Sequence, residues 1–330
     1  MKRFNKLAAA IMCLALSLII IAGCAQNDYV NEEYFPGVEP RNTIGTESYF
    51  ALQMVPLSAA PAMFHVYNPV ARGISVDSNE LALVDYSNAS DGYIMIRYLR
   101  PTNQRVMVRI TGPSEMEYVY FLRTDGEFEV FPLSDGNGTY TVRVFENIEG
   151  NRFSLSLSMQ ITVTLNDEFA PFLRPNQFVN FNSQSRAVAK ASELVRGADT
   201  LHDKVAAIFT FIIENIEYDF ELARTVQSGY VPDIDRVLER GKGICFDYAA
   251  LMTAMLRSQA IPTRLVTGYA GDVYHAWIDV WSEASGWIAH IIHFDGHNWE
   301  LMDPTFAAAG TAAAIEFMGD GTNYRALRLF

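Results

Sequence analysis

Apolar side chains recur on alternate positions through much of the stretch from Tyr49 to Leu165. Val106, Val108 and Ile110 share one parity, and Tyr140, Val142 and Val144 share another short run. Phe153, Leu155, Leu157, Met159, Ile161, Val163 and Leu165 then hold a strict period of two. That period is the signature of a β-strand with one buried face. Thr124-Asp125-Gly126 separates Met116–Leu122 from Glu127–Phe131, and Ser134-Asp135-Gly136-Asn137-Gly138 precedes Tyr140. Several short strands joined by Asp-Gly turns predict a β-sandwich, with an immunoglobulin-like arrangement the expected form. Tyr118 and Tyr120 read as exposed aromatics that could meet a ligand, although packing within the sheet is the expected role. No grouping of catalytic residue types falls in this region, and the sandwich is expected to serve as a spacer and docking module.

The pattern changes after a linker, Asn166 to Ser185, which is rich in Asn and Pro and carries several Phe that suit packing across a domain junction. Ser185 to Arg196 predicts a helix stopped by Gly197. Thr200 to Asp203 opens another as a capping box, with Val205, Ile208, Phe209, Ile212 and Ile216 as its buried stripe. A short helix over Asp233 to Glu239 is ended by Gly241. The run Cys245 to Arg257 is apolar nearly all round, as befits a helix in the middle of a domain, and Pro262 forbids its continuation. Thr263–Gly268 and Val273–Trp281 read as strands, and Asn323–Phe330 as a closing strand. Helices first and strands afterwards give an α+β layout.

At the other end, Lys2, Arg3 and Lys6 precede an apolar run from Leu7 to Ala22 that is short for a membrane span and has the layout of a secretory leader. Asn27 to Thr46 is polar and broken by Pro36, Gly37, Pro40 and Gly45, which reads as a tether. The expected organisation is therefore a leader over 1–23, a tether over 24–46, a sandwich over 47–168 and an α+β domain over 169–330. A length of 330 and a hydrophobic fraction of 50% suffice for two real cores. The formal charge of −13 becomes more negative once the leader is removed. It argues against nucleic acid as a partner and against flat electrostatic docking on anionic lipid; solubility alone accounts for it.

Cys245 stands where the glycine turn meets the buried helix. Unpaired N–H groups and the positive end of the helix dipole collect there, which lowers a thiol pKa and favours the thiolate. By itself such a cysteine is more often a small core residue. His275 lies in the strand Val273–Trp281, and Asp303 precedes Pro304, which holds it extended. A thiol, an imidazole and a carboxylate are the parts of a cysteine triad: the base takes the thiol proton and the acid fixes the tautomer of the base. Asp279 competes for the orienting role, but four positions along a strand span ~13 Å. Trp277, ~6.6 Å from His275 on the same strand face, is expected to wall the cleft.

Gly-Lys-Gly-Ile-Cys245-Phe-Asp-Tyr-Ala, His275-Ala-Trp-Ile-Asp-Val and Met-Asp303-Pro-Thr together resemble the transglutaminase-like superfamily, from about Ser185 to Ala307. The resemblance implies a papain-like core with Cys245, His275 and Asp303 as catalytic residues and no cofactor. Tyr218 matches a tyrosine common in the family and is either structural or part of the substrate cleft. Ile21-Ala22-Gly23-Cys24 resembles a bacterial lipobox, which implies lipidation of Cys24 and an extracytoplasmic protein anchored to the membrane rather than spanning it. With Cys13 in the leader and Cys24 lipidated, Cys245 of the three cysteines would have no intrachain partner, and no disulfide framework is expected.

The implied chemistry is attack of a thiolate on an amide carbonyl of a peptide or protein, cell-wall peptides included, with the acyl-enzyme passed to water or to another amine. The Cys245 backbone N–H is the natural oxyanion donor. In animal-type transglutaminases the second donor resembles a tryptophan upstream of the nucleophile, whereas the four tryptophans here all lie downstream. Hydrolysis is therefore expected ahead of transamidation, with a non-catalytic peptide-binding protein as the remaining alternative. His290, His293 and His297 form no metal-ligand pattern and suit a specificity lip better. One geometric tension remains in the sequence: turn residues at both Ser285-Gly286 and Asp295-Gly296 mean that a simple meander would pair the Asp303 strand with Gly286–His293, not with the His275 strand.

Overall fold

The computed structural model describes residues 66–289, 291–294, 299–301, 304–305 and 322–330, with the backbone alone for 291–294 and 299–301. The leader, the tether, Cys24, His290, His297 and Asp303 lie outside the described residues.

The first unit is a pair of antiparallel four-stranded sheets. Strands β1 (Val76–Ser78), β2 (Ala82–Asp85), β3 (Tyr93–Tyr98) and β6 (Glu129–Pro132) form one, in the order β1-β2-β3-β6. Strands β5 (Glu117–Leu122), β4 (Val106–Thr111), β7 (Gly138–Glu149) and β8 (Arg152–Val163) form the other, in that order. Inward rows from both sheets, such as Val84, Ile94 and Ile96 against Val108, Val142 and Val144, join one buried cluster. That is the sandwich that the period of two predicts. Tyr118 and Tyr120 are buried, not exposed. Tyr120 stacks on Phe178 at 5.2 Å and meets Phe131 edge-on at 4.9 Å, so packing, the expected role, is what they do.

The linker after β8 is folded onto the molecule. Ala170, Phe172, Leu173, Phe178, Val179 and Phe181 are all buried. Gln177 donates its backbone N–H to Val130 O (2.9 Å) and its side-chain amide to Phe121 O (2.8 Å). Phe178 touches both units, meeting Tyr120 on one side and Phe246 and Phe330 on the other. The hydrophobic cluster is continuous across the junction, and the linker phenylalanines pack there as their sequence suggested.

The second unit opens with helices α1 (Arg186–Leu194), α2 (Leu201–Asn215), α3 (Phe220–Thr225) and α4 (Ile234–Arg240). Helix α2 begins with the predicted capping box, Thr200 and Asp203 bonding reciprocally. Helix α5 (Cys245–Arg257) has every residue buried, as its uniformly apolar sequence requires. It packs on strands β11 (Thr263–Ala270) and β12 (Val273–Ser282). These two pair antiparallel, Gly268 opposite His275 and Val266 opposite Trp277. Strand β13 (Gly286–Ile288) pairs only with Val280–Ser282 of β12, and β16 (Tyr324–Leu329) takes the far edge of β11. The closing strand is thus where the sequence put it.

Between them the chain leaves the sheet. Strand β14 (Ile291–Phe294) pairs with β15 (Trp299–Leu301) as a separate two-stranded ribbon. The segment before Asp303 is therefore an excursion rather than the third strand of a meander.

Arg257, at the last turn of α5, is buried with a pKa lowered by burial to about 9. It donates to the carbonyls of Thr263 (2.9 Å), Arg174 (2.6 Å) and Phe330 (2.6 Å). One cation thereby ties the central helix to the sheet and to the junction linker.

Candidate active site

The turn before Cys245 is built by three local devices. Helix α4 is capped at its start by Asp233, which accepts from the Arg236 N–H. It ends at Gly241, whose φ of 61° is the left-handed conformation that glycine adopts without strain. Strand β10 (Lys242–Gly243) then lies parallel to β9 (Glu217–Tyr218), with Gly243 opposite Tyr218. The N–H of Glu217 bonds to Gly241 O (2.8 Å) and that of Asp219 to Gly243 O (2.9 Å). Finally, Ile244 is extended and α5 starts at Cys245, with no exposed surface on the cysteine.

Asp247 fixes this corner. Its carboxylate accepts the Ile244 N–H (2.9 Å) and the Tyr230 hydroxyl (2.7 Å). A side chain on Gly243 would put its Cβ 2.7 Å from Asp247 Cβ, so only glycine admits the contact. Burial pushes the Asp247 carboxyl up to about 6, against the lowering effect of its two hydrogen bonds. The Tyr230 phenol is held well above its ordinary value by burial and by the adjoining carboxylate.

The other two cysteines of the chain, Cys13 and Cys24, lie outside the described residues. Only the free thiol of Cys245 can act as a nucleophile.

His275 is 2% exposed near the start of β12. Its ring stacks on Trp277 at 6.2 Å and meets Tyr324 edge-on at 6.3 Å, while Trp277 meets Tyr324 at 5.2 Å. Ala276, Ile278 and Val280 join the cluster that contains α5. His275, Trp277 and Asp279 occupy the alternate face. The structure therefore brings His275 and Trp277 together and sets their strand against the helix headed by Cys245. On its other side β12 pairs with β13 over Val280–Ser282, and β14 lies against it.

Residues 188–290 match the model of the transglutaminase-like superfamily. The chain carries a transglutaminase-like domain. The match includes Cys245 and His275 and stops before Asp303. The uncharacterized Bacillus subtilis protein YebA is 25% identical over 171 residues, covering 46% of this chain and 22% of that protein. A protein-glutamine gamma-glutamyltransferase of Pseudomonas aeruginosa is 28% identical over 139 residues, covering 38% and 19% respectively. The matched segment is thus about a fifth of each curated relative. Among solved structures, a candidate cysteine protease from Cytophaga hutchinsonii is 19% identical with a TM-score of 0.37, over 72% of this chain and 83% of that one. Red sea bream transglutaminase is 13% identical with a TM-score of 0.27, over 64% and 47%.

Within the transglutaminase-like domain, Tyr218 is 9% exposed, sits beside the Gly243 turn and meets Phe220 edge-on at 5.0 Å. Three further residues, Asp247 and Tyr230 at this corner and Tyr324 beside His275, escaped the sequence reading. Asp247 had a legible signal, an acid in the first turn of a helix. Tyr230 and Tyr324 had none, because each arrives from a part of the chain distant in sequence.

Proposed function

We propose that this chain is a thiol enzyme that breaks amide bonds in peptides or proteins, with Cys245 as nucleophile, His275 as general base and acid, and Asp303 as the carboxylate that orients the imidazole. The observation that carries the reading is the position of Cys245. It is the first residue of a buried helix, locked by the Gly243–Asp247 corner, and that helix rests on the strand bearing His275. The reading requires the His275 imidazole to meet the Cys245 sulfur at the start of α5.

In the reaction, the imidazole takes the proton from the reduced thiol and the thiolate adds to the carbonyl carbon. The oxyanion forms beside the N–H of Cys245, at the positive end of α5. The imidazolium returns its proton to the amine, the C–N bond breaks and a thioester remains. Water, deprotonated by the same imidazole, adds to the thioester; the acid departs and the thiol is restored. Hydrolysis is the favoured outcome because the tryptophan donor associated with protein cross-linking has no counterpart upstream of Cys245. Transamidation is the second reading, supported by the activity named for the Pseudomonas relative. The lipobox-like Cys24 supports an extracytoplasmic, lipid-anchored location.

The test is a digest of a peptide library in reductant, with and without an added primary amine. New amino termini or released ammonia are expected, and Cys245→Ala should reduce their formation by at least about a thousandfold with the thermal unfolding midpoint unchanged. Incorporation of the amine in place of hydrolysis would select transamidation. Peptide binding without turnover in the reduced wild type would select the non-catalytic alternative.

A further inference from the structure

A groove of about 660 Å³ runs along the junction between the sandwich and the transglutaminase-like domain, within the range of ligand-binding clefts. One wall is the outer face of β4 and β5, with Arg105, Arg109 and Phe121; the other includes Phe246, Tyr274 and Arg328. Phe246 follows Cys245 in the chain and Tyr274 precedes His275. The groove therefore borders the chain neighbours of both proposed catalytic residues, and residues from the sandwich form the wall opposite them.

The charge of this groove runs against that of the molecule. A chain of net charge −13 here presents three arginines and one carboxylate, Glu117. That carboxylate is taken up by Arg109 at 3.3 Å. Arg328 uses its Nε on the backbone oxygen of Glu117 (2.7 Å). Arg105 is exposed and its Cζ lies over the Phe121 ring, 4.2 Å from the centroid. Among the described residues neither Arg105 nor Arg328 pairs with a carboxylate. The lining also holds Gln177 and Thr267, each 5% exposed, whose Oε1 and Oγ1 have no hydrogen-bond partner among the described residues. Buried polar oxygens without partners are costly and need an explanation, and the amides of a bound peptide offer one.

We propose that this groove binds an extended, acidic segment of the peptide substrate, with Asp or Glu side chains on Arg105 and Arg328, and so places the amide beside Cys245. The inference rests on the proposed activity for its placement of the scissile bond, but the binding itself does not require turnover. A neutral segment would leave the guanidinium groups of Arg105 and Arg328, toward opposite ends of the β4–β5 pair, without counter-charge.

The test uses the full-length chain with Cys245→Ala, which separates binding from chemistry. Fluorescence anisotropy compares labelled Glu-rich, Gln-rich and Lys-rich peptides of the same length. The Glu-rich peptide is expected to bind at least about tenfold more tightly than its Gln counterpart, with the preference lost in about 0.5 M salt. Adding Arg105→Glu, at an exposed position whose folding is checked by circular dichroism, should weaken the acidic peptide about tenfold and the neutral one less than about twofold. Equal affinities for the acidic and neutral peptides, or an unaltered preference in the Arg105→Glu variant, would overturn the proposal. So would displacement of the probe by a small tricarboxylate as readily as by unlabelled peptide, since that marks a small-anion site. If the wild type hydrolyses neutral peptides while the preference is absent, the groove assignment fails and the catalytic reading stands. If the preference is present and no peptide is ever cleaved, the reverse holds.

Discussion

Asp247 sits two residues beyond the proposed nucleophile with no exposed surface, and its position has a measurable consequence. Its folded carboxyl titrates at about 6 against an ordinary value of 3.8. Between those values the folded chain holds a proton that the unfolded chain has released, so stability falls as pH rises through this window. At 1.36 kcal/mol per unit the whole effect is about 3 kcal/mol. Asp247→Asn removes the titration and keeps an oxygen for the Ile244 N–H. Urea denaturation at pH 4 and pH 7.5 should therefore show the difference in stability moving toward the variant by about 2.5 kcal/mol. A difference independent of pH would mean that the carboxyl does not titrate in this range. At this scale, chemistry-bearing residues were legible where local structure singles them out, as with Cys245 at a helix start and His275 in a strand. Tyr230 and Tyr324 were not legible, because no local pattern says what a loop or edge-strand tyrosine will be folded against.

Elements whose pattern is long were legible for the same physical reason. The rows of β7 and β8 and the uniformly apolar α5 leave one way to bury their side chains. The β14–β15 ribbon was not, since segments of four and three residues carry too little periodicity to reveal which neighbour they take. Register across distant strands was likewise invisible, and Gly268 shows what it demands. A Cβ there would run into the carbonyl oxygen of Arg325 on β16 and come within 2.8 Å of Trp277 Cη2. The ladder shifts register at Thr267/Gly268 to let the two backbones approach. Gly268→Ala should therefore detach β16 and disturb the Trp277 ring that stacks on His275. The expected cost is about 3 kcal/mol, with amide exchange rising first over Tyr324–Leu329. If those amides stay protected, the backbone has yielded elsewhere.

At the scale of the whole molecule, length suggested two domains, and composition could not say whether their cores are separate. They are not: residues of both sandwich sheets, the linker and α5 belong to one buried cluster. Phe330 is a keystone of that arrangement. It is 3% exposed, meets Tyr118 at 5.6 Å, Tyr120 at 5.9 Å and Phe178 at 4.9 Å, and its backbone pairs with Leu265 in both directions. Its carbonyl oxygen also receives Arg257. A side chain from one unit buried among aromatics of the other couples the two stabilities, so the wild type should unfold in one calorimetric transition. Phe330→Ala leaves a cavity at the junction and should cost about 3–5 kcal/mol. Because the lost contacts are those that cross the junction, the loss should fall on coupling as well as on total stability. Two resolved transitions are expected in the variant, with the transglutaminase-like unit, deprived of its contact with the sandwich, melting first. A single transition merely shifted to lower temperature would show that Gln177, Arg257 and the rest of the linker hold the units together without Phe330.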